Sequence, residues 1–206
     1  MPDPVSAEST VAPPGNKTAR INSRVTQVLD AAATQFATKG YQATSIRDIV
    51  RTVGMLPGSL YCHFANKEEL LAAVHAEGVR RICEAVRMAA DRRSDPWDRL
   101  EAACEAHLEA LLDHSAYAKV VTSVGPHSVP ELADTLIAQR DAYEQLFAGL
   151  IDALPLPPRT PRATLRLMLL GALNWVPTWY RPDGSQSPRS LARAFVRLLK
   201  APLQPP

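Results

Sequence analysis

The chain has 206 residues, 46% of them hydrophobic and only 6% aromatic, a length and apolar fraction that support a sizeable core and exclude a disordered or fibrous chain. Net charge is +2 but uneven: from Lys17 to Lys67 seven Lys or Arg stand against two acids, a local balance of +5 that leaves −3 for the rest, as expected of a basic module for phosphates on a mildly acidic body. Cys62, Cys83 and Cys104 form no C-x-x-C pair and leave an odd count, and no run approaches the roughly 20 apolar residues of a membrane span, so disulfide frameworks and spanning helices are excluded and a soluble cytoplasmic protein is expected.

Residues 1–20 are rich in Pro, Ser, Ala and Thr, and so polar a segment cannot offset its own ordering entropy; a disordered arm is expected. Helix one is expected over about 22–38, with Val25, Val28, Leu29, Ala32 and Phe36 on one stripe and Gly40 ending it. Thr44 or Ser45 can cap helix two, whose apolar face is Ile46, Ile49, Val50 and Val53, and Gly54 stops it. Met55 and Leu56 are placed to bury the turn, and Pro57 suits the first position of a third helix running to Phe64. Two helices joined by a turn of about three to four residues containing Gly form a helix-turn-helix, whose second helix lies in the DNA major groove. Residues 21–75 are assigned to this unit.

Tyr61 and His63 in the third helix, and Lys67 opening the fourth, place a hydroxyl, an imidazole and an ammonium where they can bond phosphate oxygens. Thr44, Ser45 and Arg47 would clamp neighbouring phosphates. Pro57, Gly58 and Ser59, with Cys62, form a front of small side chains toward the bases, so specificity must come partly from Arg47, the arm and DNA shape.

The segment Thr44, Ser45, Arg47, Gly54, Gly58, Ser59, Leu60, Tyr61, His63, Phe64 and Lys67 resembles the DNA-binding domain of the TetR family of bacterial transcriptional regulators, strongly from about Val25 to Val74. Leu56 departs from the pattern, standing where the family usually has a Ser or Thr cap, so that cap is lost or moved to the turn backbone. The resemblance implies that residues 76–202 form a helical ligand-binding and dimerising domain, with helices eight and nine building a four-helix bundle with a second copy. The partners expected are therefore a double-stranded DNA operator, a small-molecule effector and a second chain, with no cofactor and no membrane.

Helix four is expected to start at Asn66 in a capping box with Glu69 and to run to about Asp91, joining the two halves. Asp95 and Pro96 open helix five, to about Asp113; a short sixth spans Ala116–Ser123, and Pro130 opens a long seventh. Helix eight, about Ala163–Tyr180, is apolar nearly all round and should be buried on several sides; helix nine covers about Pro188–Lys200. The fold expected is all-α, with about nine helices.

The stretch from Asn174 to Gly184 resembles one in TetR-type regulators of fatty-acid or steroid catabolism that sense acyl-CoA thioesters. By that likeness Trp175, Trp179 and Tyr180 wall an apolar pocket with Tyr143 and Phe147, and Arg162 or Arg166 meets a phosphate; alternatively the aromatics fill the core and dimer seam. His107 and Asn174 complete the candidate effector residues. His75, His107, His114 and His127 lack the Cys or carboxylate partners of a metal site, although His107 and His114 are seven apart on one helix face, and they read as pocket or surface histidines. The motifs of an enzyme, such as a nucleophile elbow, a phosphate loop or paired catalytic carboxylates, are missing.

Overall fold

The computed structural model describes residues 15–201, with side chains from residue 23 onward. Nine α-helices follow in order among the described residues: α1 Gly15–Lys39, α2 Ile46–Thr52, α3 Pro57–Tyr61, α4 Lys67–Asp91, α5 Pro96–Leu112, α6 Ala116–Ser123, α7 Ala133–Asp152, α8 Arg162–Trp179 and α9 Pro188–Lys200, with a 3-10 turn at Pro130–Leu132 before α7.

Helix α1 begins earlier than expected, so residues 15–20 of the predicted arm are helical; beyond Pro14 no proline interrupts backward growth. Residues 1–14 lie outside the described residues. Gly40 and Gly54 both take positive φ, +81° and +63°, the left-handed conformation that closes a helix at no Cβ cost. Ser45 caps α2: its hydroxyl accepts from the Asp48 amide at 3.2 Å and the Asp48 carboxylate accepts from the Ser45 amide at 3.3 Å. Leu56 precedes α3 without any side-chain cap, as its substitution implied.

Helix α3 ends at Tyr61 rather than Phe64, because Phe64 turns inward to the core while its amide still bonds the Leu60 carbonyl at 3.0 Å. At α4, Asn66 accepts from the Glu69 amide at 2.7 Å, but the Glu69 carboxylate reaches the Ala65 amide at 2.6 Å and not that of Asn66. The box thus closes one residue further upstream than expected.

Two apolar cores result. One, centred on α5, gathers Val86, Leu100, Leu108, Phe147, Leu173 and Val196. The other lies under α3 and includes Phe36, Ile49, Leu60 and Leu71, yet it also takes Tyr117 and Val120 from α6 and Leu136 from α7. Between the two, α4 and α6 approach so closely at Gly78 that a Cβ there would lie 2.6 Å from Val121 Cγ2 and 3.3 Å from the Tyr117 carbonyl.

The expectation that α8 is buried on several sides fails within one chain. Only Leu169, Leu170, Leu173 and Val176 are buried, while Leu167, Met168, Trp175 and Trp179 are exposed, Trp175 by 64%. His114 does not share a helical face with His107 either: α5 stops at Leu112, and His114 sits beyond it at φ +59°.

Candidate DNA interface and effector cavity

Ser45, Arg47, Pro57, Gly58, Ser59, Tyr61 and His63 are all exposed, on a unit whose buried side chains Ile49, Val50, Leu60 and Phe64 fix the angle between α2 and α3. Tyr61 is 54% exposed, so its phenol is free of the core. Arg47 and Arg51 extend from α2, Arg51 pairing with Asp48 at 2.8 Å, an exposed pair that contributes little to stability.

Two expected phosphate contacts are occupied within the chain. Thr44 is buried, and its hydroxyl donates to the Gly40 carbonyl at 2.8 Å, with the Gln35 carbonyl at 3.2 Å; it ties the loop to α1. Lys67 donates to the carbonyls of Tyr41 and Thr44 at 3.1 and 3.2 Å, and its ammonium lies 4.2 Å from the Tyr41 ring centroid. Tyr41 in turn donates to Glu68 at 2.6 Å; burial, then the Glu68 carboxylate, push its phenol pKa up. Lys67 therefore fastens α4 to the loop before α2.

A cleft of about 480 Å³ opens in the second half, between α4, α5, the α6–α7 segment, α7 and α8. Its walls are largely apolar, with Val79, Ile82, Leu111, Val121 and Leu136, and its polar groups are His75, His107, Thr122, Tyr143, Asn174, Thr178 and, at an exposed place, Arg140. Of the expected effector residues, His107, Tyr143 and Asn174 line it. Phe147 is fully buried behind them, its ring 5.8 Å from that of His107 and 5.6 Å from that of Tyr143. Trp175 and Trp179 face outward from α8, because the 3.6-residue repeat carries them off the stripe of Leu173 and Val176. Arg166 lies 3.6 Å from the Glu144 carboxylate, while Arg162 caps the carbonyl end of α7 by donating to Ile151 and Leu154. Neither lines the cleft.

His75 escaped notice in the sequence except as one of four scattered histidines. It follows Leu71 by four residues and precedes Ile82 by seven, both buried on α4, a spacing that marks it as inward-facing. Gln139 Nε2 donates to the Ala72 carbonyl at 3.3 Å, so its oxygen accepts from His75 Nδ1–H at 2.6 Å. Burial lowers the His75 pKa against the upward pull of Gln139. Equally unforeseen is Tyr117 on α6: its phenol donates to Asp30 of α1 at 2.9 Å, and the Arg81 guanidinium lies 4.0 Å above its ring. Arg81 also pairs with Glu77 at 2.8 Å, and the hydrogen bonds and charges of Arg80 and Arg81 hold the Glu77 carboxyl down at about 2.

Family models agree with this division. Residues 28–74 match bacterial regulatory proteins of the tetR family, and residues 93–203, more than half of the chain, match the tetracyclin repressor-like C-terminal domain. The chain belongs to the TetR family. Among its relatives is the HTH-type transcriptional repressor KstR2 of Rhodococcus jostii, 31% identical over 198 residues that cover 91% of this chain and 94% of that one. Among solved structures it is similar to the TetR family regulator PfmR of Thermus thermophilus, with a TM-score of 0.66 and 29% identity over 84% of this chain and 96% of the other. It shares the fold, with a TM-score of 0.69 and 23% identity over 85% and 97% of the two chains, with AibR, solved in complex with isovaleryl coenzyme A and operator DNA. Membership of this family makes the chain a DNA-binding transcriptional regulator rather than an enzyme. No helix among the described residues is long and apolar enough to cross a membrane.

Proposed function

We propose that the chain is a repressor that pairs through α8 and α9, holds a pseudo-palindromic operator in the cytoplasm and releases it when a small apolar effector enters the cleft. Two copies of α3 would then meet successive major grooves about 34–36 Å apart. Ser45, Arg47, Tyr61 and His63 supply phosphate contacts, and Pro57, Gly58 and Ser59 face the bases. The observation that carries the reading is that α6 serves both ends: Val121 and Thr122 line the cleft, while Tyr117, one turn away, bonds α1. An occupant that displaces α6 changes how α1 and α4 carry the reading helix. Its leverage equals its differential affinity for the two arrangements, typically about 1–3 kcal/mol.

An acyl-CoA thioester suits this site as effector. The fold shared with AibR, solved with isovaleryl coenzyme A, supports that class, and Arg140 brings a cation to the rim, though one that already pairs with Asp141 and Glu144. Because Arg162 and Arg166 are engaged elsewhere, an aromatic or other hydrophobic molecule without phosphates is the second reading. Gel shifts on the region upstream of the protein's own operon, repeated with isovaleryl-CoA, longer acyl-CoAs and aromatic compounds, decide between them. The expected result is a shifted band that one class abolishes; a band unchanged by every compound would overturn release by an effector.

A further inference from the structure

His107 is 1% exposed, sits at the cleft, and its Nε2 has no hydrogen-bond partner among the described residues. Buried polar atoms are almost always paired, and an orphan at the wall of an open cavity points to something that completes it. Its other nitrogen decides what that something is. Nδ1 lies 2.5 Å from the hydroxyl of Tyr143, which packs between the rings of His107 and Phe147 and whose hydroxyl has no other hydrogen bond among the described residues. A phenol with one acceptor in reach donates its proton to it, which leaves Nδ1 as the acceptor and puts the ring proton on Nε2.

The ring stays neutral: burial holds its pKa at about 4, the Asn174 side chain pulling weakly upward. Asn174, which lines the same cleft, is thus close enough to act on the ring yet makes no hydrogen bond with Nε2, so the tautomer rests on the Tyr143 contact. The other imidazole at the cleft has the opposite tautomer, because Gln139 takes the proton of His75 Nδ1 and leaves its Nε2 an acceptor.

We infer that the ligand of this cleft carries an uncharged carbonyl oxygen, of a ketone, ester or thioester, that accepts a hydrogen bond from His107 Nε2–H, and that Tyr143 positions that donor. A carboxylate is disfavoured at the same place, since a neutral imidazole offers it no counter-charge within an apolar wall. The assignment rests on reading the cleft as the effector site but concerns recognition, not release.

Two measurements test it. Nitrogen-15 spectra of histidine-labelled protein should show His107 with Nε2 protonated and Nδ1 bare, and Tyr143→Phe should shift that ring toward a mixture of tautomers; the reverse tautomer in the wild type overturns the inference without any ligand. Calorimetry then compares 2-decanone, 2-methyl-1-decene, in which a methylene replaces the oxygen, and decanoate. The ketone should bind about tenfold tighter than either, the scale of leaving one buried donor unpaired. His107→Phe should erase that preference while His107→Gln, which keeps an N–H, retains part of it. A preference that survives His107→Phe, equal binding of ketone and alkene, or tighter binding of decanoate would each overturn it. Ketone binding through His107 without operator release would refute the effector reading and leave this one standing.

Discussion

Tyr117 on α6 bonds Asp30 on α1 at 2.9 Å while its own backbone carbonyl lies 3.3 Å from where a side chain on Gly78 of α4 would begin. Three helices therefore meet at one tyrosine: α1 belongs to the DNA-reading unit, α6 walls the cleft, and α4 does both. Removing the hydroxyl in Tyr117→Phe should cost about 1 kcal/mol of stability and alter operator affinity, although residue 117 lies far along the chain from α3. Urea unfolding and anisotropy titration on one operator fragment measure the two effects; unchanged DNA affinity would remove α6 from the coupling.

Gly78→Ala should force α4 and α6 apart. A methyl 2.6 Å from Val121 Cγ2 has no room, and overpacking of this kind costs about 1–3 kcal/mol. Thermal unfolding of the variant beside wild type checks it, and Gly149→Ala, where nothing lies within 4 Å, serves as the control that should not destabilise.

Lys67→Ala and His63→Ala should fail differently. Lys67 holds two loop carbonyls, so its loss should lower stability by about 1–3 kcal/mol. His63 and Tyr61 are exposed, so His63→Ala and Tyr61→Phe should leave stability unchanged and weaken binding to all DNA sequences alike. Tyr61→Phe removes an uncharged donor and should leave the slope of log affinity against log salt unchanged, whereas Arg47→Ala, which removes a cation, should lower it by about 0.9. Weakening confined to one base position would make these residues base readers instead.

Stability should fall on acidification through His107. Its folded pKa, about 4, lies below the unfolded value of about 6.5, so between those limits the unfolded chain binds the extra proton and stability rises with pH. Full charging of the unfolded imidazole should cost the native state about 3 kcal/mol by pH 4. Carboxylates such as Glu77, held near 2, add their own loss at lower pH. The informative quantity is therefore the difference between wild type and His107→Gln in urea unfolding at pH 7 and pH 4.5: the variant should lose less. Equal losses would mean that the ring is not buried neutral.

Trp175→Glu should give monomers. The side chain is 64% exposed beside Met168 and Trp179 on α8, an apolar strip of the kind that marks an interface. Analytical ultracentrifugation should show half the mass and gel shifts a large loss of operator affinity; a variant that sediments as wild type would place the dimer contact elsewhere.

Most helix limits were legible because their punctuation is chemical: Ser45, Asn66 and Asp95 each cap the start of a helix in the structure, and Gly40 and Gly54 follow the ends of α1 and α2 in the left-handed conformation. The exposed face of α2 and α3 was legible for the same reason. The cleft was not, because its lining comes from five places in the chain and only packing brings them together. Periodicity marks α8 as apolar but does not say which side meets its own chain, so the sequence left Trp175 and Trp179 open between a pocket wall and a core or dimer seam, and they face outward. The contacts of Thr44 and Lys67 within the chain were not legible, because hydroxyl and ammonium groups bond carbonyls as readily as phosphates and only the loop's return to α1 brings those carbonyls within reach.

The apolar interior beneath α3 is shared property. Tyr117, Val120 and Leu136, all beyond residue 75, pack with Phe36, Ile49 and Leu71. A fragment ending near residue 75 would expose those side chains to water. Chimeras that swap the head of this regulator onto another member's body should therefore misfold unless α6 and the start of α7 travel with it.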